Sequence, residues 1–149
     1  MKIMFICTGN ICRSAMAHVM LEKKAQEMNK DIEVYSCGVF AYNGDKPTEE
    51  AISVLRTEYD VNLAKHCATN IKNSKIEEMD IILCATASHK NNVLNMYPDL
   101  EKKVYTMKEY AEYPDTDLDI KDPWGCSYET YKKCAKEIDD CVNKIINKV

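Results

Sequence analysis

Apolar and polar positions alternate between two rhythms along this chain. Ile3-Met4-Phe5-Ile6 is a short, unbroken apolar run ending at Cys7, the pattern of a strand buried on both faces. From Ser14 to Met28 the apolar positions recur at helical spacing, with Ala17, Met20, Leu21, Ala25 and Met28 expected on the inner face. Ile32 to Tyr35 alternates as a half-buried strand does, then runs into Ser36-Cys37-Gly38 and a loop from Val39 to Lys46. Pro47 suits a helix start, and residues 48–59 carry Ala51, Ile52 and Leu55 on one stripe. Residues 60–73 show no period, and a turn is expected over 74–79. Asp80 to Cys84 predicts a buried strand, Ser88 to Met96 a helix ending near Pro98, and Val104 to Thr106 a last short strand. Residues 110–126 form a long loop with four aspartates, Asp115, Asp117, Asp119 and Asp122. Loops of that length in compact domains usually carry function or move. Residues 127–147 end the chain as a helix with Tyr131, Cys134, Ala135, Ile138, Cys141, Val142 and Ile145 on one stripe.

Strands alternating with helices predict a parallel sheet covered on both faces. Such sheets bind ligands beyond the carboxyl ends of their strands, where strand order reverses. The segment Cys7-Thr8-Gly9-Asn10-Ile11-Cys12-Arg13-Ser14 lies between the first strand and the first helix. The free amides and positive dipole end of a helix make that an anion site, and a curled loop can aim several N–H groups at one phosphate. Thiols held beside a helix N-terminus and a fixed cation ionise at roughly 3.5–7.5, so a thiolate exists at rest and attacks phosphorus without a separate base. Arg13 offers a planar fork to two phosphate oxygens. Ser14 is placed to donate to the sulfur of Cys7, and Asn10 tolerates the left-handed geometry of a tight loop.

At 149 residues the chain is long enough for one domain with a real core, and residues 1–149 read as one. A net charge of −4, from 20 basic and 24 acidic side chains, argues against nucleic acid or an anionic membrane as partner. No apolar run approaches the ~20 residues of a membrane span, and the start is too short for a signal peptide. A cytoplasmic location is expected. The eight cysteines then read as thiols, not a disulfide framework, and no Cys-x2-Cys pair points to zinc. No cluster of His, Asp and Glu suggests a metal, so metal-free and cofactor-free chemistry is expected.

Cys7-x5-Arg13-Ser14 after a first strand, with Asp122-Pro123-Trp124-Gly125 far downstream, resembles the low-molecular-weight protein tyrosine phosphatases over essentially the whole chain. The resemblance implies a four-stranded parallel Rossmann-like sheet flanked by helices, the phosphotyrosine phosphatase I type of α/β fold. It implies a phosphorylated protein as substrate, with no nucleic-acid or membrane partner, and a monomer is expected. Residue by residue, it implies Cys7 as nucleophile, Arg13 as phosphate ligand and Asp122 as general acid and base, with Asp119 in reserve. Thr8, Gly9, Asn10, Ile11, Cys12 and Ser14 would line the phosphate loop. Trp124 would wall the pocket with Ile11, and Phe40 and Tyr42 could assist from the neighbouring loop. Ser36 and His66 would hydrogen-bond Asn10 and hold the loop's shape, whereas His18 and His89 have no assigned part. Cys12 would form a reversible disulfide with Cys7 against over-oxidation.

Two features complicate the substrate. Gly38-Val39-Phe40-Ala41, Asn43-Gly44 and Lys108-Glu109-Tyr110 resemble the bacterial branch that includes protein-arginine phosphatases. Members of that kind typically carry threonine where this chain has Ile11, and a hydroxyl suits a guanidinium leaving group better than a sec-butyl chain does. Phosphotyrosine is therefore expected, with phosphoarginine as the alternative. Ala15 stands where the family often has proline, a helix-start preference that leaves the chemistry intact. An arsenate reductase would need two further cysteines close together after the third strand, and only Cys84 lies there. A non-catalytic phosphoprotein-binding module would need neither a nucleophile nor an acid.

Overall fold

The computed structural model describes residues 1–149. Four strands, β1 (Lys2–Cys7), β2 (Glu33–Gly38), β3 (Ile81–Cys84) and β4 (Val104–Thr106), form one parallel sheet in the order β2-β1-β3-β4. Five helices accompany it: α1 (Arg13–Glu27), α2 (Glu49–Tyr59), α3 (Ala87–Met96), α4 (Met107–Tyr110) and α5 (Tyr128–Ile146). Single 3₁₀ turns lie at Ile71–Asn73, Ile76–Glu78 and Pro98–Leu100.

The pleat of β1 divides the core. Ile3 and Phe5 face one side with α1, α2 and α5, while Met4 and Ile6 face the other with Val93 of α3. In β3, Ile81 and Leu83 join the first side and Ile82 and Cys84 the second. Full burial on both faces is why these strands read as continuous apolar runs. The α5 stripe is buried as its spacing predicts, from Tyr131 to Ile145.

Strand order reverses at β1: the chain leaves it for β2 on one side and later returns to β3 on the other. Cys7 is the last residue of β1, so the Cys7–Ser14 loop stands in the crevice this reversal opens.

Four details differ from the sequence reading. Met28 lies at the C-cap of α1 and is half exposed, because the helix ends before its last apolar position turns inward. β2 runs on to Gly38, since its pairing with β1 continues to Cys7↔Gly38. Ile52 is only partly buried at the edge of the core. A single-turn helix, α4, opens the acidic loop, closed by a capping box in which Thr106 Oγ1 accepts from Glu109 N at 2.9 Å and Glu109 Oε1 accepts from Thr106 N at 3.1 Å.

No helix is long and apolar enough to cross a membrane.

Candidate active site

The first helix starts differently from those around it. Thr48, Thr86, Thr106 and Ser127 each cap α2, α3, α4 and α5 with a side-chain oxygen. The N-cap of α1 is Cys12, which makes no such bond, and no acidic residue sits in its first turn. The amides at that end are left for an anion.

The loop leading there is held from within by Asn10, which is fully buried at φ 57°. Its Nδ2 donates to Ser14 Oγ at 2.7 Å, and its Oδ1 accepts from Thr69 N at 3.0 Å. An amide nitrogen only donates, so Ser14 Oγ is the acceptor and its own proton is free for Cys7 Sγ, 2.9 Å away. The Asn10 amide thus aims the Ser14 hydroxyl at the sulfur. His66 Nε2 donates to the Asn10 carbonyl at 2.9 Å, and burial lowers the pKa of this ring, which favours the neutral donor form.

Ser36 does not reach Asn10 as the sequence reading expects. Its hydroxyl is 2.7 Å from His18 Nδ1, and the His18 ring meets that of His66 edge-on at 5.8 Å. Position 36 points from β2 toward α1, one layer short of the loop, so it acts on His18.

Gly38 presses on the loop from β2. A Cβ there would sit 2.4 Å from the Thr8 carbonyl oxygen and 2.9 Å from Asn10 N. The amides of Val39 and Phe40 donate to the carbonyls of Cys7 and Thr8 at 3.0 and 2.9 Å. These bonds need an approach that only glycine permits.

Arg13 is buried, with 4% of its surface exposed. Its Nη1 donates to the Ile120 carbonyl at 2.8 Å, and its Nη2 is 3.6 Å from Asp122 Oδ2. Nε is buried with no partner at all. A charged donor left in this condition is costly unless a ligand completes it. Arg13 lines a cavity of about 230 Å³ together with Cys7, Thr8, Gly9, Ile11, Cys12, Asp122 and Trp124. All eight of these residues come from the two segments singled out in the sequence, Cys7–Ser14 and Asp122–Gly125.

The acid side of the cavity is anchored separately. Asp122 Oδ1 accepts from Trp124 N at 3.0 Å, a local turn that leaves Oδ2 toward Arg13. The Asp119 carboxylate accepts from Ala87 N at 2.8 Å and does not line the cavity, whereas Asp122 does. Ile120 N donates to the Ala85 carbonyl at 2.8 Å. Lys108, fully buried, bridges Asp117 of this loop at 2.7 Å and Glu137 of α5 at 3.0 Å. Burial lowers the Lys108 pKa, but the two carboxylates outweigh it and the net shift is upward, so the anchor stays charged.

Cys12 Sγ lies 3.3 Å from Tyr131 Oη and 3.6 Å from Thr48 Oγ1. Burial pushes its pKa up. All eight cysteines are free thiols. Phe40 and Tyr42 are largely exposed and do not line the cavity.

Sequence reasoning missed His89. This buried ring touches Thr8 Oγ1 through Nε2 at 2.8 Å and Thr86 Oγ1 through Nδ1 at 2.9 Å. Burial and the Arg13 charge push its pKa down to about 4, so it is neutral at physiological pH. The only signal was a threonine three residues ahead of it.

A thiol at the floor of an anion cradle, faced by a carboxyl group and backed by a half-satisfied guanidinium, is the apparatus of a cysteine-dependent phosphatase. The comparisons agree. The model of the low molecular weight phosphotyrosine protein phosphatases matches residues 2–149, and the chain belongs to that family. It is 33% identical to a protein-arginine-phosphatase of Geobacillus stearothermophilus over 99% of this chain and 95% of that one. It is 34% identical to the low molecular weight protein-tyrosine-phosphatase PtpB of Staphylococcus epidermidis, over 97% and 96%. The crystal structure of a low molecular weight protein tyrosine phosphatase from T. tengcongensis superposes with a TM-score of 0.94 at 36% identity, covering 100% of this chain and 99% of that one.

Proposed function

We propose that this phosphatase hydrolyses phosphotyrosine in proteins by way of a phosphocysteine. The Cys7 thiolate attacks phosphorus, the phosphorus–oxygen bond to the leaving group breaks, and the leaving oxygen takes the Asp122 carboxyl proton. Water then attacks the phosphocysteine and gives a proton to Asp122. The phosphorus–sulfur bond breaks, inorganic phosphate leaves, and the thiolate is restored. The Arg13 fork and the loop amides stabilise the equatorial oxygens in both steps. The Ser14 hydroxyl, aimed by Asn10, stabilises the sulfur as it departs.

The observation that carries this reading is the unpartnered, buried Nε of Arg13 beside Cys7 in one cavity. For the aromatic preference the support is Ile11 and Trp124, which give the cavity apolar walls, with Asp122 as its one carboxylate. Rapid quenching with radiolabelled substrate tests the pathway: label should be trapped on the wild-type protein during turnover, and Cys7→Ser should release no phosphate.

Phosphoarginine is the second reading. It is favoured by the likeness to a protein named as an arginine phosphatase, at 33% identity over nearly the full length. The same groups would act, with a guanidinium nitrogen as leaving atom.

In this account the enzyme works as a cytoplasmic monomer in one domain, and Cys12 serves as the reversible disulfide partner of Cys7.

A further inference from the structure

His89 stands at the join of the two halves of the site. It lies in the first turn of α3, and the start of that helix is tied to the loop carrying Asp122 twice: Ala85 O accepts from Ile120 N at 2.8 Å, and Ala87 N donates to Asp119 Oδ1 at 2.8 Å. The ring itself reaches across to the phosphate loop. Two threonine hydroxyls flank its ring nitrogens. Thr86 Oγ1 accepts the His89 backbone N–H at 3.1 Å and lies 2.9 Å from Nδ1, in place to give that nitrogen its hydroxyl proton. A neutral ring that accepts at Nδ1 carries its proton on Nε2. In that tautomer Nε2 donates to Thr8 Oγ1, 2.8 Å away. Thr8 is then an acceptor from His89, so its own hydroxyl proton is free, on a residue that lines the cavity beside Cys7 and Arg13.

We propose that His89 is a positioning residue that turns the Thr8 hydroxyl into a donor for a phosphate oxygen, acting through the ordered chain Thr86–His89–Thr8. The loop's other donors are backbone amides and Arg13; Thr8 adds a side-chain donor whose direction is set from 81 residues away. The proposal rests on the reading of Cys7–Ser14 as the phosphate site.

The test uses inorganic phosphate as a competitive inhibitor of para-nitrophenyl phosphate turnover, in wild type, Thr8→Val, His89→Ala, His89→Gln and the Thr8→Val/His89→Ala pair. A lost hydrogen bond to an anion corresponds to about tenfold. Thr8→Val and His89→Ala should each weaken phosphate by about that factor. The pair should be no worse than Thr8→Val alone, because both remove one interaction. Glutamine places its amide nitrogen near the imidazole Nε2, so His89→Gln should recover most of the loss. In wild type, ¹⁵N shifts of the His89 ring should show the proton on Nε2.

Unchanged phosphate inhibition in Thr8→Val or in His89→Ala overturns the proposal. So do losses that multiply in the pair, a glutamine variant as weak as the alanine one, or a ring proton on Nδ1. If His89→Ala does not fold, Thr8→Val and the wild-type ¹⁵N spectrum still decide. Phosphate that fails to compete in wild type overturns the phosphate reading of the loop itself, a result distinct from all of these.

Discussion

Arg13 donates from Nη1 to the carbonyl of Ile120, 2.8 Å away and 107 residues later in the chain. One nitrogen of the guanidinium fork is thereby fixed to the loop that carries Asp122, while Nε remains without a partner. In the proposed mechanism this one side chain holds the anion site and the acid loop in register while binding the substrate. A lysine at position 13 keeps the charge but can serve only one of these contacts. Arg13→Lys should lower kcat by about 10²-fold or more, the cost typical of one lost transition-state donor. Stopped-flow turnover with an activated aryl phosphate measures it.

Gly38 fixes the loop from the opposite side. Alanine there would bring Cβ within 2.4 Å of the Thr8 carbonyl and 2.9 Å of Asn10 N, both backbone atoms that cannot swing away. Gly38→Ala should destabilise the fold by ~1–3 kcal/mol, as overpacking does, and should reduce kcat by displacing Cys7 relative to Arg13. Urea denaturation and turnover together check it. A fully active, fully stable variant would mean that the loop tolerates the shift.

Asp122 holds one carboxylate oxygen on Trp124 N and keeps the other over the cavity. Asp122→Ala should slow turnover strongly for esters with poor leaving groups and much less for para-nitrophenyl phosphate, which departs without a proton. Equal loss for both would take the acid role from Asp122.

The buried His89 sets a pH signature of stability. Its pKa falls from 6.5 unfolded to about 4 folded. Above 6.5 both states are neutral and the ring contributes no slope. Between 6.5 and 4 the unfolded chain binds the proton and the native one does not, so stability drops as pH falls through this window, by on the order of 2–3 kcal/mol. Carboxylates titrate nearby, so the His89 part is the difference between wild type and His89→Gln in urea melts at pH 7 and pH 4.5. The glutamine variant should lose less stability across that interval.

Much of this molecule was legible because its signals are local. β1 and β3 are apolar runs that the sheet buries on both faces, and the α5 stripe recurs at helical spacing from Tyr131 to Ile145. The place of the Cys7–Ser14 loop between a strand end and a helix start was legible too. What escaped depends on topology. The β2-β1-β3-β4 order puts the turn before α3 next to the loop after β1, and this alone brings His89 to Thr8. Ser36 was given the wrong partner for a similar reason: β2 pairs with β1, but position 36 faces α1, where His18 meets it. α4 is a single turn, too short to show a period, and its capping box was the readable trace. Asp119 resembled a spare acid in sequence, and only the neighbouring start of α3 shows its carboxylate already engaged.

The central claim is the substrate, and it turns on Ile11 at the wall of the cavity. The most direct measurement is kcat/KM on matched peptides bearing phosphotyrosine and phosphoarginine, assayed side by side in wild type and in Ile11→Thr, under reducing conditions and without metal. The account predicts faster turnover of phosphotyrosine by wild type and a shift toward phosphoarginine in Ile11→Thr. Faster phosphoarginine turnover by the wild-type enzyme would contradict it.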